Sequence, residues 1–226
     1  MKMIAIMPAY EEASRIEAAI LDVKKYISTI VVVDDGSQDE TTDVAQRTGV
    51  MVLRHAINRG QGAALRTGTM AALKLGAEII VDVDADGQHD AEFIPKLMEP
   101  ILNGTADVVL GSRFLGIKSD GMPWSRRVLH AGIHIFNTLI LGISWRFTDP
   151  QCGLRALSRS AAEELKFTQD RFAHCSEILR LLSRSGLRVA EVPTRIRYTS
   201  DSLAKGQKAK DAFKIVWQLL MGSFQE

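Results

Sequence analysis

Three aspartates at alternate positions follow a short apolar stretch near the middle of the chain. Residues 79–88 read IIVDVDADGQ, which places Asp82, Asp84 and Asp86 directly after β-branched residues. Carboxylates only a few ångströms apart raise one another's pKa and destabilise the fold unless a positive charge compensates. Asp84 and Asp86 have the spacing to hold one hard divalent cation such as Mg²⁺ while leaving positions for further oxygen ligands. Gln88 offers a further oxygen ligand.

Other interpretations of this segment stay open. The pattern from Asp82 to Gly87 matches the start of a calcium-binding EF-hand loop, but that loop requires glutamate at its twelfth position, where this chain has Phe93. An EF-hand loop also follows a helix, whereas this segment follows Ile-Ile-Val. Asp82 alone can be structural, hydrogen-bonded to backbone at the edge of a sheet. The remaining alternative is an Asp-Gly turn that binds nothing.

The composition excludes several classes of function. The chain has 28 lysines and arginines against 27 aspartates and glutamates, with no long basic run, so we expect no nucleic-acid partner. Cys152 and Cys175 lack the spacing of a zinc site or a disulfide framework. The apolar stretch 128–143 is shorter than the ~20 residues that span a bilayer. We expect a cytoplasmic protein, either soluble or peripheral on the inner membrane face.

Strand and helix patterns alternate through the N-terminal half. Strands are predicted at 3–7, 30–34, 50–54, 79–84 and 108–111, and helices at 14–26, 40–47, 62–75 and 91–102. Ile16, Ile20, Val23 and Ile27 have the spacing of one helix face. Ser37 with Glu40 forms a capping-box pattern, and Asp90 is a candidate cap for the fourth helix. The alternation predicts an α/β fold with a mostly parallel sheet covered by helices on both faces.

The pattern changes after about residue 115, without any evident linker. The segment 124–143 is predicted to form one long helix or two shorter ones. Helices are also predicted at 159–165, 177–185 and 208–224, and strands at 154–157 and 189–197. We therefore predict one domain over residues 1–226. The last helix has apolar residues at helical spacing after several lysines, which fits both a membrane-surface helix and an amphipathic helix docked on the core.

Polar residues follow all five predicted strands of the N-terminal half. In parallel sheets ligands bind beyond the carboxyl ends of the strands, so these segments are expected to meet at one edge. They cover residues 8–12, 34–37, 58–62, 84–89 and 111–113. Residues 58–62 carry two glycines and open a helix, so their amides could face an anion. A tight turn with a glycine-rich helix start, and no ligand, explains the same residues. Leu65 occupies the third glycine position of the dinucleotide fingerprint, and the P-loop residues are missing.

The order of these motifs resembles that of the family 2 glycosyltransferases of GT-A fold. Within that family it resembles the polyprenol-phosphate (dolichol-phosphate) mannosyl- and glucosyltransferase group. The matching segments are PAYEE at 8–12, VVVDDGS at 31–37, NRGQGA at 58–63, DADGQH at 84–89, GSR at 111–113, DPQCGLR at 149–155 and EVP at 191–193. Seven motifs in the same order, from residue 3 to about residue 206, make the resemblance specific.

The resemblance implies transfer of a hexose from a GDP- or UDP-sugar to a polyprenyl phosphate, with inversion and help from Mg²⁺ or Mn²⁺. Residues 1–114 would bind the nucleotide-sugar and residues 115–226 the acceptor. It implies that Pro8, Tyr10, Glu12 and Asp35 line the nucleotide pocket, with Asp35 near the base or ribose. It implies a metal site of Asp84, Asp86 and Gln88. It also implies phosphate contacts from Arg113, from Arg126 or Arg127, and from Lys205.

Two departures from the family pattern concern the first and last motifs. Glu11 stands where asparagine is usual, and the segment around Lys205 lacks the usual arginine and glycine spacing. The second departure leaves open which of Arg195, Arg197 and Lys205 holds phosphate.

The acceptor decides whether the reaction needs a general base. A glycan hydroxyl would need one, and Asp149 or Glu177 are the candidates in the second half. Asp149 can equally be a turn residue, and Glu177 a charge at a helix N-terminus. A lipid phosphate needs none, because it is already anionic at neutral pH. The four cations Arg113, Arg126, Arg127 and Lys205 favour the lipid phosphate. Nucleotidyl transfer is disfavoured by the absence of a glycine-rich loop at residues 8–12, and a catalytically inactive nucleotide-binding module is the non-enzyme alternative.

Overall fold

The computed structural model describes residues 1–116, 142–171 and 173–195, with residues 132, 135, 138 and 139 as isolated positions. Several predictions lie outside this described part. They are the helix 208–224, nearly all of the helix 124–143, and the side chains of Arg126, Arg127, Arg197 and Lys205. The division into halves at residue 114 stays a prediction.

Seven strands form a single mostly parallel sheet in the order β3-β2-β1-β4-β6-β5-β7. Their bounds are Met3–Ala9, Thr29–Asp34, Met51–Arg54, Ile79–Asp82, Val108–Ser112, Arg155–Ser158 and Val189–Pro193 for β1 to β7. Strand β6 runs antiparallel between β4 and β5, and the other pairs are parallel. The central strands read as continuous apolar runs because both of their faces are covered. The predicted α/β sheet is confirmed.

Helices cover both faces of this sheet. Their bounds are Ile16–Lys24, Thr41–Arg47, Gln61–Lys74, Ile94–Leu102, Arg159–Glu164 and His174–Arg184 for α1 to α6. Alternate residues of β1 pack in opposite directions: Ala5 and Met7 face the cluster that holds α1, α2 and α4, while Ile4 and Ile6 face the cluster that holds α3, α5 and α6. The predicted apolar face of α1 is confirmed, because all four of its residues are buried. Among the described residues, no helix is both long enough and apolar enough to cross a bilayer.

Both helix caps expected from local sequence patterns are wrong. Helix α2 begins after Glu40 with no side-chain cap, because the Ser37 hydroxyl donates to Asp34 and accepts the N–H of Glu11. Asp90 precedes a 3-10 turn rather than capping α4, and its carboxylate accepts a hydrogen bond from Arg195 at 2.6 Å. In both cases a contact distant in sequence replaces the local one.

An ion pair between Asp107 and Arg188 holds the start of β5 against the start of β7. The backbone N–H, Nε and Nη2 of Arg188 donate to the Asp107 carboxylate at 2.8, 3.0 and 2.7 Å. These hydrogen bonds lower the pKa of Asp107 to about 2. A carboxyl whose pKa is lower in the folded state stabilises the protein above its unfolded pKa, and this contribution is lost as the pH falls toward 2.

We expect Asp107→Asn to lower the Tm by about 2 °C at pH 7, because the pair is exposed and such pairs contribute modestly. The difference from the parent should narrow at pH 3, where Asp107 has begun to lose its charge. Thermal melts of both proteins at the two pH values test this, with Asp43→Asn on the exposed side of α2 as the matched control. A Tm difference of equal size at both pH values would contradict the assigned role of the charge.

Candidate active site

The carboxyl ends of the parallel strands meet at one edge of the sheet, as the sequence predicts. Strand β1 lies between β2 and β4 and is parallel to both, so the segments that follow these strands are neighbours. Strand β5 points the same way, because the antiparallel β6 separates it from β4. The predicted carboxylates therefore lie beside the segment 8–12, and the turn 34–37 lies on the other side of that segment.

Asp84 and Asp86 lie in the turn just beyond the end of β4. Oδ1 of Asp84 accepts a hydrogen bond from Nε2 of Gln61 at 2.7 Å, and Oδ2 lies 3.1 Å from Nε2 of His89. Oδ1 of Asp86 accepts the backbone N–H of Gln88 at 2.9 Å. Asp84 is thus held by two neighbouring side chains, while Asp86 is held by its own turn.

The two carboxylates differ in how their surroundings affect ionisation. Burial and the negative charge of Asp84 raise the pKa of Asp86 to about 6. Burial acts on Asp84 in the same direction, but the hydrogen bond and charge of His89 and the charge of Arg155 outweigh it, so the pKa of Asp84 is lowered. At neutral pH both groups are ionised, and the charge on Asp86 lowers the stability of the folded protein.

Gly153 forms one wall of the Asp84 position. A Cβ atom at residue 153 would overlap the Asp84 carboxylate. The antiparallel β6 brings this residue to the end of β4, since β6 begins at Arg155 opposite Asp82. Asp84 is therefore confined on one side by Gly153 and fixed by hydrogen bonds on the others.

This donor set fits a hard divalent cation. One carboxylate is fixed in orientation, and the adjacent one carries a charge that a cation would relieve. Each carboxylate oxygen keeps a lone pair beyond the hydrogen bonds described above. Within the described part of the chain no three His, Cys, Asp or Glu side chains form a metal-binding group. Water, ligand oxygens and Gln88 would have to supply the remaining coordination.

Asp82 belongs to a buried structural group behind the two carboxylates. Its Oδ2 lies 3.1 Å from Nε of Arg155, and both side chains are almost fully buried. Burial and the charge of Arg155 lower the pKa of His174 to about 4, so this imidazole is neutral at physiological pH. This contact favours the structural interpretation of Asp82, with Arg155 rather than the backbone as its partner.

Asp35 is buried and is held by the glycine loop, which we define as residues 58–62. Its Oδ1 accepts Nδ1–H of His55 at 2.7 Å and the N–H of Arg59 at 3.0 Å, and its Oδ2 accepts the N–H of Gly60 at 2.6 Å. Two of the amides that could face an anion, those of Arg59 and Gly60, therefore bind a carboxylate of the protein itself. The implied contact of Asp35 with the base or ribose stays a prediction.

The other residues implied for the nucleotide pocket lie on β1 and the segment after it. Pro8 is buried within the strand, and Tyr10 is exposed just beyond its end. Glu12 pairs with Arg15, and its charge contributes to the raised pKa of Asp86. Glu12 is therefore within electrostatic reach of the predicted metal site, and its contact with nucleotide stays a prediction.

Arg113 and Asp149 form a buried bidentate ion pair. Nε and Nη2 of Arg113 donate to the two Asp149 oxygens at 2.6 Å each, and the Arg113 N–H donates to Oδ2 at 3.0 Å. Such pairs fix the guanidinium geometry. The charges of Asp149, Arg113 and Asp84 all act on the buried thiol of Cys152, which places this pair near the carboxylates. The arrangement favours a positioning role for Asp149.

Two further candidates of the second half that the structure describes, Glu177 and Arg195, are also engaged. Glu177 accepts the N–H groups of Thr168 and Gln169 at 2.9 and 2.8 Å, so its carboxylate fixes the segment before α6. Arg195 donates to Asp90 and Glu92 at 2.6 and 2.8 Å. Their proposed catalytic or phosphate-binding roles stay predictions.

Three residues of this site are missed by the sequence patterns: Gln61, His89 and Gly153. Gln61 stands inside a loop that the pattern assigns to anion binding, and no spacing rule connects it with Asp84. Gln61, His89 and Gly153 all fall within quoted motifs, which are NRGQGA, DADGQH and DPQCGLR respectively. Membership of those motifs is the one signal that could have drawn attention to them.

The sequence signature described as Glycosyl transferase family 2 matches residues 4–166. This chain belongs to glycosyl transferase family 2. The family 2 enzyme is 35% identical to the UDP-N-acetylglucosamine–dolichyl-phosphate N-acetylglucosaminyltransferase of Methanococcus voltae, over 96% of this chain and 94% of the relative. It is 30% identical to the dolichol-phosphate mannosyltransferase of Pyrococcus furiosus, over 97% of this chain and 64% of the relative.

A solved structure shares the fold of this glycosyltransferase. Mycobacterium tuberculosis glucosyl-3-phosphoglycerate synthase, crystallised with Mn²⁺ and UDP-glucose, matches with a TM-score of 0.74 and 21% identity, over 97% of this chain and 76% of that one. The predicted resemblance to the polyprenol-phosphate sugar transferases is confirmed. The predicted GT-A fold is confirmed as well. The enzyme class, a glycosyltransferase, is confirmed with them.

Proposed function

We propose that this glycosyltransferase moves a hexose from a GDP- or UDP-sugar to a polyprenyl phosphate, with a divalent cation on the donor diphosphate. The observation that carries the proposal is the pair of adjacent carboxylates beyond β4. Asp84 is fixed by Gln61 and His89, and Asp86 has its pKa raised to about 6 by burial and by Asp84. This pair suits a cation bound together with diphosphate oxygens.

Side chains of this enzyme would bind the donor and stabilise its leaving group. When bound, Mg²⁺ or Mn²⁺ supplies Lewis-acid stabilisation of the charge that develops on the departing diphosphate. Asp84, Asp86 and Gln88 would hold it. Arg113 contributes a guanidinium in a fixed orientation, because Asp149 binds it through two hydrogen bonds. A preorganised positive charge needs no rearrangement as the transition state forms.

The acceptor is inferred from the hydrogen-bond partners of the two candidate bases, Asp149 and Glu177. The Asp149 carboxylate is engaged by Arg113, and that of Glu177 by the amides of Thr168 and Gln169. A hydroxyl acceptor requires a base, whereas a phosphate acceptor is already anionic. Both relatives named above are described as acting on dolichyl or dolichol phosphate. We therefore favour a lipid phosphate, which would bring the enzyme to a membrane surface.

Organic extraction after transfer of radiolabel tests the proposal. The protein is incubated with Mn²⁺, polyprenyl phosphate in detergent, and labelled GDP-mannose, UDP-glucose or UDP-N-acetylglucosamine in turn. We expect one donor to give label in the organic phase, and mild acid to release the sugar from that product. The unphosphorylated polyprenol is the matched control acceptor and should give none.

Two outcomes would contradict parts of this proposal. Label confined to aqueous products would reject the lipid acceptor in favour of a glycan hydroxyl or a small polar acceptor. Lipid labelling that is unchanged by EDTA would reject the role of the metal while leaving the acceptor intact.

A further inference from the structure

Gln61 is the first residue of α3 and reaches across the sheet edge to Asp84. Its Nε2 donates to Oδ1 of Asp84 at 2.7 Å, on the carboxylate whose other oxygen faces His89. The Gln61 amide is a neutral donor, so it orients the carboxylate without replacing a cation as its counter-charge. The second lone pair of the same oxygen remains directed away from the amide.

The glycine loop gives Gln61 little freedom to move. On one side Asp35 binds the N–H groups of Arg59 and Gly60. On the other side Ala63 donates its N–H to the carbonyl oxygen of Asp170 at 3.1 Å. Gln61 therefore lies between two anchored amides.

Two glycines allow this anchoring. Gly60 has a φ of 113°, which strains other residues, and a Cβ at Gly60 or at Gly62 would overlap the backbone of the segment 169–170. Residues 169–170 therefore pack directly against the start of α3. The position of the Gln61 side chain is thus set by contacts from both halves of the chain.

We propose that Gln61 is a positioning residue that orients Asp84 for the divalent cation. The inference rests on the proposed function, since it holds that Gln61 sets the orientation of Asp84, a proposed metal ligand. Groups that hydrogen-bond to metal ligands fix ligand orientation, and their loss lowers metal affinity by about 10- to 100-fold. Among the described residues, the hydrogen bond of the Gln61 side chain goes to Asp84, and not to Arg113 or to any residue implied for the nucleotide pocket. Its effect should therefore be confined to the metal.

Two binding measurements on Gln61→Leu test this role. The first is the affinity for Mn²⁺ alone, followed by electron paramagnetic resonance. The second is the affinity for UDP and for GDP by calorimetry, with and without Mn²⁺. We expect Mn²⁺ affinity to fall about 10-fold, with metal-free nucleotide affinity and Tm unchanged. Gln61→Asn, whose shorter amide cannot reach Asp84, should behave like Gln61→Leu.

Gln46→Leu is the matched control, because Gln46 is exposed on α2, and it should bind Mn²⁺ as the parent does. Parental Mn²⁺ affinity in Gln61→Leu would overturn the inference and leave the proposed function standing. An equal fall in metal-free nucleotide affinity would also overturn it, because the effect would then be general. A parent protein whose nucleotide binding does not respond to Mn²⁺ would overturn the metal-assisted function and this inference together.

Discussion

Asp86→Asn is expected to lower sugar transfer on the order of 10³-fold and to raise the Tm of the metal-free protein. The loss follows from the proposed role of Asp86, since a bound cation stabilises the leaving diphosphate by several kcal/mol and each 1.36 kcal/mol is tenfold in rate. The gain in stability follows from the pKa of Asp86, which burial and Asp84 raise to about 6. Asparagine keeps the size of the side chain and removes the charge.

The pH dependence of that stability gain has a definite sign. A carboxyl with a raised pKa binds its proton more tightly in the folded state, so its contribution to stability falls as the pH rises from about 4 through 6. Above pH 6 the full cost of the buried charge is present. Asp86→Asn avoids it, and we expect a gain of about 1 to 2 kcal/mol at pH 7.5 that shrinks toward pH 4.5. Thermal melts at both pH values measure it.

Added Mn²⁺ separates the two effects of this substitution. It should raise the Tm of the parent protein at pH 7.5 and leave Asp86→Asn almost unchanged, because binding to the native state alone stabilises it. Asp43→Asn, at an exposed position of α2, is the matched control and should respond to Mn²⁺ as the parent does. An Asp86→Asn enzyme with parental transfer and a parental Mn²⁺ response would refute the metal assignment.

The sheet and the edge that carries the site were predictable because both depend on local patterns. Continuous apolar runs such as 79–81 indicate strands covered on both faces, and the parallel arrangement brings their polar ends together. The carboxylates after β4 were predictable for the same reason, since uncompensated charges at the end of a buried strand require an explanation. Neither inference needs a contact between distant residues.

Two neighbours of Asp84, Gln61 and Gly153, could not be predicted, because each comes from another part of the fold. Gln61 reaches Asp84 only once α3 has packed on the sheet, and Gly153 reaches it only because β6 inserts antiparallel beside β4. The capping pattern of Ser37 failed partly for the same reason, since its hydroxyl accepts the N–H of the distant Glu11 and donates to the nearby Asp34. Local patterns describe what a side chain can do, and tertiary contacts decide which option is used.

The pairing of Arg113 with Asp149 shows the same limit for function. The sequence assigns the two residues separate roles, one as a phosphate contact and the other as a candidate base. The structure joins them through two hydrogen bonds of 2.6 Å, which changes the role that the carboxylate is suited to. The residue types indicated which chemistry was available. Only the observed ion pair indicates that the Asp149 carboxylate orients the guanidinium of Arg113.

Gly153→Ala is expected to lower transfer by roughly 10- to 100-fold through Asp84, although residue 153 offers no side chain to the reaction. The new Cβ would overlap the Asp84 carboxylate, so that carboxylate must leave its hydrogen bonds with Gln61 and His89. Gly153 does not have a left-handed backbone conformation, so alanine itself adds no backbone strain. The loss should come with weaker Mn²⁺ affinity, measured by titrating Mn²⁺ into the transfer assay and into the protein alone.

Gly186→Ala provides the matched control for this steric effect. Gly186 also lacks a left-handed conformation, and a Cβ there would meet no atom within 4 Å. Its activity and Mn²⁺ affinity should equal those of the parent, and both variants should melt within a few degrees of it. If Gly153→Ala kept parental Mn²⁺ affinity while losing transfer, the overlap would act on something other than Asp84. If it kept both, the fixed orientation of Asp84 would not matter for the reaction, and two carboxylates free to turn would suffice to hold the cation.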